Sequence, residues 1–459
     1  MTKTETTSAV LHRDTHHVPK KAVGGKGSYI FLEDGQKFLD STGGAAVSCL
    51  GHGNEEVTKA VIDQLNQLAY CYSVYFSTQV AEDLAKLLVD STSGKMTKLF
   101  VVSSGSEAVE AALKLARQYF LELPTPQPQR TKYIGRLPSY HGVTLGGLAA
   151  GGHTIRREPF KPLLSTAFSH VSPCYAYRGK KEGETDEAYV ARLAAELDAE
   201  FQRLGPENVC AFIAEPIAGN SMGCVPAVPG YFPAMKAVCE KYGALLILDE
   251  VMCGMGRSGT LHAWQQEDVV PDIQTIAKGL GAGYAPVSGV LIGENVVQVL
   301  DKGSGVFRHG QTYQGHPLAC AAALAVQKIV KEKNLMQNVR EMGAYLEKRL
   351  KERLESHPYV GDIRGRGLFW GIEFVQDKET KESFSPETGV ANHMQETGLK
   401  PEFSISLLAG TGAIEGMRGD HIILAPPYTV SKEEIDDIVD ATARVVDDVF
   451  AKLNIGLKQ

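Results

Sequence analysis

The sequence predicts an α/β protein: a large domain with a mostly parallel central sheet, plus a smaller α+β domain. Three observations carry this. Short apolar runs, such as residues 244–248 and Val209–Ala214, are bounded by turn residues, which is how strands buried on both faces read. Helical patterns separate these runs, as at residues 231–242 just before Ala244. Beyond about residue 331 the texture changes, with charge-rich helical segments at 336–356 and 432–453 around strand signals at 367–374 and His421–Leu424.

Composition bounds the rest. A chain of 459 residues can bury a large core, and 43% apolar with 22% charged residues is the range of a soluble globular protein. A net charge of -7 offers no nucleic-acid surface. No apolar run approaches a membrane span. The first twenty residues are polar, so no secretory signal is expected; they are Ser/Thr-rich and basic, but Glu5 and Asp14 weigh against a mitochondrial leader. Eight cysteines without C-x-x-C spacing suggest neither a zinc site nor a disulfide framework, and a cytoplasmic setting is expected.

In chain order, residues 1–26 read as a flexible lead. Residues 27–40 alternate apolar and polar around Glu33-Asp34-Gly35, a hairpin signal. A helical pattern follows at 55–68. Residues 70–76 are densely aromatic, which points to core; the alternative is an active-site wall with Tyr75 toward substrate. A strand at 98–102 ends in the turn Ser103-Ser104-Gly105-Ser106, which opens a helix with Ala108, Ala111, Ala112, Leu115 and Tyr119 on one face. Such a turn suits a phosphate, because it presents backbone N–H groups at a positive dipole end. It also reads as a capping box between Ser104 and Glu107, and both can hold at once. After a proline-rich loop and a strand at 131–135 comes Tyr140-His141-Gly142: Tyr140 could stack on a planar ring and His141 could hydrogen-bond beside it. Glu215 follows the strand Val209–Ala214.

The central stretch runs from Ala244 to Gly283. Its first strand ends on Asp249 and Glu250; a second, at 273–277, stops at Lys278 before Gly279-Leu280-Gly281-Ala282-Gly283. Ligands of open parallel sheets sit beyond the carboxyl ends of strands, so one rim receives both groups. A desolvated lysine can lose its proton and form a Schiff base with an aldehyde. A carboxylate can keep a pyridine nitrogen protonated, making the ring an electron sink. Together they describe the protein's half of a site for pyridoxal 5'-phosphate (PLP). From this stretch alone, an ordinary strand-end acid and a solvated loop lysine explain the pattern as well. Gly254-Met255-Gly256-Arg257-Ser258-Gly259 matches the dinucleotide fingerprint, but Asp249 to Cys253 intervene between strand and glycines, and two acids would repel a pyrophosphate.

Read as an ordered set, these motifs resemble the class III aminotransferases, the ω-type group of fold-type I PLP-dependent enzymes. The set is Ser104-Gly105-Ser106-Glu107-Ala108, Tyr140-His141-Gly142, Glu215-Pro216, Asp249-Glu250-Val251, Lys278 and Thr312-Tyr313-x-Gly315-His316-Pro317. The likeness runs from about Gly27 to Pro426-Pro427. It implies that Lys278 holds PLP and shuttles the proton, and that Asp249 partners the ring nitrogen. Val251 and Tyr140 take the two ring faces, with His141 alongside. Ser104, Gly105 and Ser106 take the phosphate, and Glu215 stands near the phenolic oxygen. Thr312 is similar to a residue that reaches the neighbouring subunit's phosphate, which implies a homodimer. Arg418, directly before Gly419-Asp420, is similar to an arginine that binds the substrate carboxylate but that related sequences often place a couple of residues earlier. The implied reaction is ping-pong transfer of an amino group from a primary amine or amino acid to a keto acid through Lys278. Another PLP reaction on this scaffold (aminomutase, racemase or decarboxylase) is the alternative. The domains expected are 27–60 contributing to the small domain, 61–330 as the PLP-binding domain, and 331–459 as the C-terminal small domain.

Overall fold

A computed structural model describes residues 8–414 and 418–453. Its centre is a seven-stranded sheet in the order Met96–Val102, Ser288–Gly293, Ile273–Ile276, Leu245–Asp249, Val209–Ala214, Lys132–Arg136, Phe168–Val171. Leu245–Asp249 and Val209–Ala214 are buried at every residue, which explains why they read as unbroken apolar runs. Ser288–Gly293 alone runs antiparallel to its neighbours. Its chemistry is the same as that of the parallel strands; what differs is the connection. Only a 3-10 turn, Lys278–Leu280, and a short loop precede it, and a parallel neighbour would need a longer crossover.

A four-stranded antiparallel sheet follows in the order Val360–Arg366, Phe369–Phe374, His421–Leu424, Leu408–Gly410. It packs on the helices Leu335–Leu354 and Lys432–Lys452 through one core that includes Leu346, Phe374, Ile422 and Val446. Strands Ala22–Lys26, Tyr29–Leu32 and Lys37–Leu39 form a third sheet. This corrects the flexible reading of residues 1–26: their last five residues pair antiparallel with Tyr29–Leu32. Two glycines, Gly24 and Gly25, had masked that strand's pattern. Among the described residues no helix is long and apolar enough to cross a membrane.

The aromatic stretch 70–76 is not core. Tyr75 is 73% exposed and Phe76 64%, and Tyr75 packs edge-on against Tyr72 and Phe76 at the surface. The core reading failed because aromatic density reports apolar area, not what covers it. Gly254 to Gly259 forms a turn, not the opening of a helix. Its Arg257 is 1% exposed and donates to the carbonyls of Leu368 (3.1 Å) and Pro426 (2.6 Å), tying the turn to the second sheet's side of the molecule.

Candidate active site

The parallel strands deliver their carboxyl ends to one rim. Register sets the pairing: Asp249 sits opposite Thr275, and Leu248 opposite Ala214, one residue before Glu215. A cavity of about 550 Å³ opens there, within the size range of small-molecule sites. Ser104, Gly105, Ser106, Tyr140, His141, Glu215, Asp249, Val251 and Lys278 all line it. Nine of the residues singled out in the sequence therefore converge on one space, although they span 175 positions of the chain (104 to 278, both counted).

Asp249 is buried and held on three sides. His141 Nδ1 lies 2.7 Å from Oδ2, while Val251 N–H and the Thr275 hydroxyl donate to Oδ1, each at 3.0 Å. A carboxylate only accepts, so the His141 proton belongs on Nδ1. The Nε2 of that ring is buried without a partner among the described residues. Glu215 accepts from the backbone N–H of Tyr140 (3.2 Å) and of Gly219 (3.1 Å). Burial raises its carboxyl above the ordinary range, against the pull of His141. Burial also pushes the Lys278 ammonium below the usual lysine range, while Asp249 and Glu215 pull it back up. Lys278 sits at φ 45°, a left-handed conformation that is uncommon outside glycine. The turn after it is pinned from behind. The buried Gln327 amide donates to the carbonyls of Gly279 (3.0 Å) and Leu280 (2.9 Å).

At the other end of the cavity, the helix Gly105–Glu122 starts on a complete capping box. Ser104 Oγ accepts from Glu107 N–H (3.2 Å), and Glu107 accepts from the N–H groups of Ser103 and Ser104. Ala108 N–H goes to the Ser104 carbonyl. The capping and anion-binding readings of this turn are therefore compatible: the cap uses Glu107 N–H and leaves those of Gly105 and Ser106 for a ligand. Gly105 must be glycine here, because a Cβ would fall 2.9 Å from Val251 Cγ1. Ser106 Oγ accepts from Val143 N–H (3.0 Å), which closes the Tyr140-His141-Gly142 loop onto the same turn.

Three predicted residues do not line this chain's cavity. Tyr75 and Thr312 are exposed outside it. Arg418 is exposed, with its carbonyl accepting from Ile414 N–H (3.2 Å). Sequence reasoning missed Thr275, which strand register could have found as the partner of Asp249. It also missed Arg13 and Arg156, which line the cavity from segments with no motif. Among the described residues no cluster suited to a metal ion occurs.

Comparison with known proteins agrees with this geometry. Residues 10–446 match the family Aminotransferase class-III. An aminotransferase of Gibberella zeae is 51% identical over 429 residues, covering 93% of this chain and 84% of that protein. The chain superposes with a TM-score of 0.87 on an (S)-enantioselective omega-transaminase from Thermomicrobium roseum, 38% identical, covering 94% of this chain and 93% of the other. An amine transaminase from an uncultivated Pseudomonas species, solved with PLP bound, gives 0.87 at 32% identity, covering 95% and 96%. The chain belongs to the class III aminotransferases, and its reaction is PLP-dependent transamination.

Proposed function

We propose that this chain carries out amino transfer from an amine or amino acid to a keto acid at the 550 Å³ cavity, with Lys278 and Asp249 as its catalytic residues. The single observation that carries this reading is the convergence of a depressed lysine, a triply held carboxylate and two uncommitted helix N–H groups on one space. These residues fit PLP: Gly105 and Ser106 would take its phosphate, Asp249 its ring nitrogen, Val251 and Tyr140 its faces, and Lys278 Nζ its carbonyl carbon. Bound there, PLP supplies an electron sink to the carbon that bears the amino group. Asp249 holds the ring-nitrogen proton by its charge, and the three donors around it stop it from rotating away. Lys278 Nζ would take the proton from the donor's amino-bearing carbon and return it to the carbon on the other side of the amino nitrogen, a 1,3-transfer. A second half-reaction with a keto acid reverses these moves.

The depressed lysine sets a pH expectation. Only the neutral amine attacks a carbonyl, and lowering a lysine's pKa raises its neutral fraction at any given pH. The rate at which cofactor-free protein takes up PLP should climb with pH and level off below 10.5, the ordinary lysine value. A stopped-flow series from pH 6 to 11 that rises without a plateau would show an unperturbed lysine. Identity of the attachment is checked by borohydride reduction, which should fix the cofactor to the peptide containing Lys278. A panel of amines with pyruvate or 2-oxoglutarate checks the reaction; no amino transfer to either acceptor would end this reading.

The working unit in this proposal is a homodimer with shared sites. Tyr70, Tyr72, Val74, Tyr75, Phe76 and Tyr313 are all exposed apolar side chains. Tyr70 joins the two segments: its hydroxyl donates to the Thr312 carbonyl (3.0 Å), and its ring lies 5.9 Å from that of Tyr313. An apolar, aromatic-rich patch of this kind is what a partner surface covers. A second copy there would bring Tyr75 and Thr312 to its neighbour's cavity, Thr312 to the phosphate. A hydroxyl-to-phosphate hydrogen bond is worth about 1.5–3 kcal/mol. Thr312→Ala should then weaken PLP affinity roughly ten- to a hundredfold. Mixing Lys278→Ala and Thr312→Ala chains at limiting PLP should restore one intact site per mixed dimer. No gain on mixing would mean that Thr312 serves its own chain.

A further inference from the structure

We infer that Glu250 is a positioning residue for amino transfer: it anchors a buried hydrogen-bonded brace on the far face of the sheet, and that brace fixes where Asp249 and Val251 stand. Asp249 and Val251 line the cavity, while Glu250 between them does not. The alternation of a strand carried one residue past its end turns the Glu250 side chain to the opposite face. There it is fully buried. Its two oxygens accept one backbone N–H each, Oε2 from Ala263 and Oε1 from Trp264, both at 2.7 Å. These residues open the short 3-10 helix Ala263–Gln266, so Glu250 closes residues 250–264 into a loop held at both ends. Burial raises the carboxyl to about 8. Both oxygens keep an accepting lone pair with or without the proton, so the clamp holds in either state.

The brace continues from the same helix. Trp264 Nε1–H donates to Gln274 Oε1 (3.0 Å), which turns the Gln274 NH2 group to His262 Nδ1 (3.0 Å). The His262 proton is thereby placed on Nε2, which donates to Ser91 Oγ (2.8 Å), and the Ser91 hydroxyl donates to the Leu88 carbonyl (2.6 Å). Burial pushes His262 down to about 4, so the ring is neutral and its Nδ1 is free to accept. Glu250, Gln274 and His262 are fully buried and all partnered, the condition under which a polar network stiffens what it touches. What it touches is the shell of Asp249. Gln274 precedes Thr275, whose hydroxyl donates to Asp249, and Glu250 precedes Val251, whose N–H does the same. The backbone N–H of Glu250 also donates to the Thr275 carbonyl (2.9 Å), joining the two strand ends. Two of the three donors that hold Asp249 are therefore set by residues tied into one network behind the sheet.

This inference rests on the proposed site. PLP-loaded Glu250→Ala would be compared with wild type by two readings, the half-reaction rate at saturating amine and the circular dichroism of the bound cofactor. PLP is achiral, so its dichroic band reports how the protein holds it. In protein that melts above the assay temperature, the rate should fall about ten- to a hundredfold, the scale of a small misplacement of reacting groups, and the band should lose amplitude. A merely structural role would move the melting temperature alone. Glu250→Gln should recover part of both readings, since its amide oxygen still accepts one of the two N–H groups. Val446→Ala, which opens a cavity in the second sheet's core, should lose stability and keep both. The inference is overturned if either reading stays at the wild-type level in Glu250→Ala, if Glu250→Gln recovers neither, or if Val446→Ala moves both in the same way. Should Glu250→Ala not fold, Gln274→Met, which breaks the brace beyond the clamp, carries the same comparison. A wild type that takes up no PLP would end the transaminase reading and this one with it. A working wild type beside unaltered brace variants would end this one alone.

Discussion

Lys278→Ala should lose turnover by several orders of magnitude while keeping the fold. Among the described residues the lysine is the one amine on the cavity lining, so its removal takes away both the covalent hold on PLP and the group that moves the proton. The fold should survive, because the ammonium's burial is a cost that alanine does not carry. The neighbouring turn keeps its own anchor in Gln327. Single-turnover rates with the best amine, beside a thermal melt, would check this. Turnover within tenfold of wild type would place the proton shuttle elsewhere.

Asp249→Asn is expected to slow the first half-reaction by on the order of a hundredfold or more, with far less effect on PLP uptake. The side chain keeps its shape, but two changes follow. An amide has no charge to keep the ring nitrogen protonated. It also has one acceptor oxygen where the carboxylate has two, so either His141 Nδ1–H or the Val251 and Thr275 donors face an NH2 group. The stacking and phosphate contacts lie on other residues, which is why binding should persist. Stopped-flow spectra of the bound cofactor with a single amine pulse would separate the two effects. An unchanged half-reaction rate would remove Asp249 from the role.

Much of this site could be read from the sequence because it is built where strands stop. Asp249, Glu215 and Lys278 follow buried apolar runs, and the strand-end rule places such residues together without knowledge of the intervening chain. Ser104 and Glu107 announced their cap by spacing alone, and the structure forms it. Arg156 and Arg13 were invisible for the converse reason. They come from a four-residue helix and an irregular lead, segments whose path is set by packing and not by local periodicity. Residues 70–76 were misread because period and composition cannot tell a surface awaiting a partner from a core. The strand Val360–Arg366 was missed as well: Asp362, Arg364 and Arg366 interrupt its apolar pattern, and Arg364 is nonetheless buried, paired with Glu373 (2.6 Å).

The left-handed backbone at Lys278 carries a consequence for anyone seeking a hardier version of this protein. A side chain at φ 45° is held against its own preference, at a cost on the order of 1 kcal/mol that glycine would not incur. Desolvating the ammonium adds to that cost. Heat tolerance and chemistry therefore pull in opposite directions at this one position. A library ranked by melting temperature alone would favour variants that have discarded the lysine, and would count as improvement the loss of the residue for which the rim was assembled. Selection for robustness here has to be gated by activity at every round.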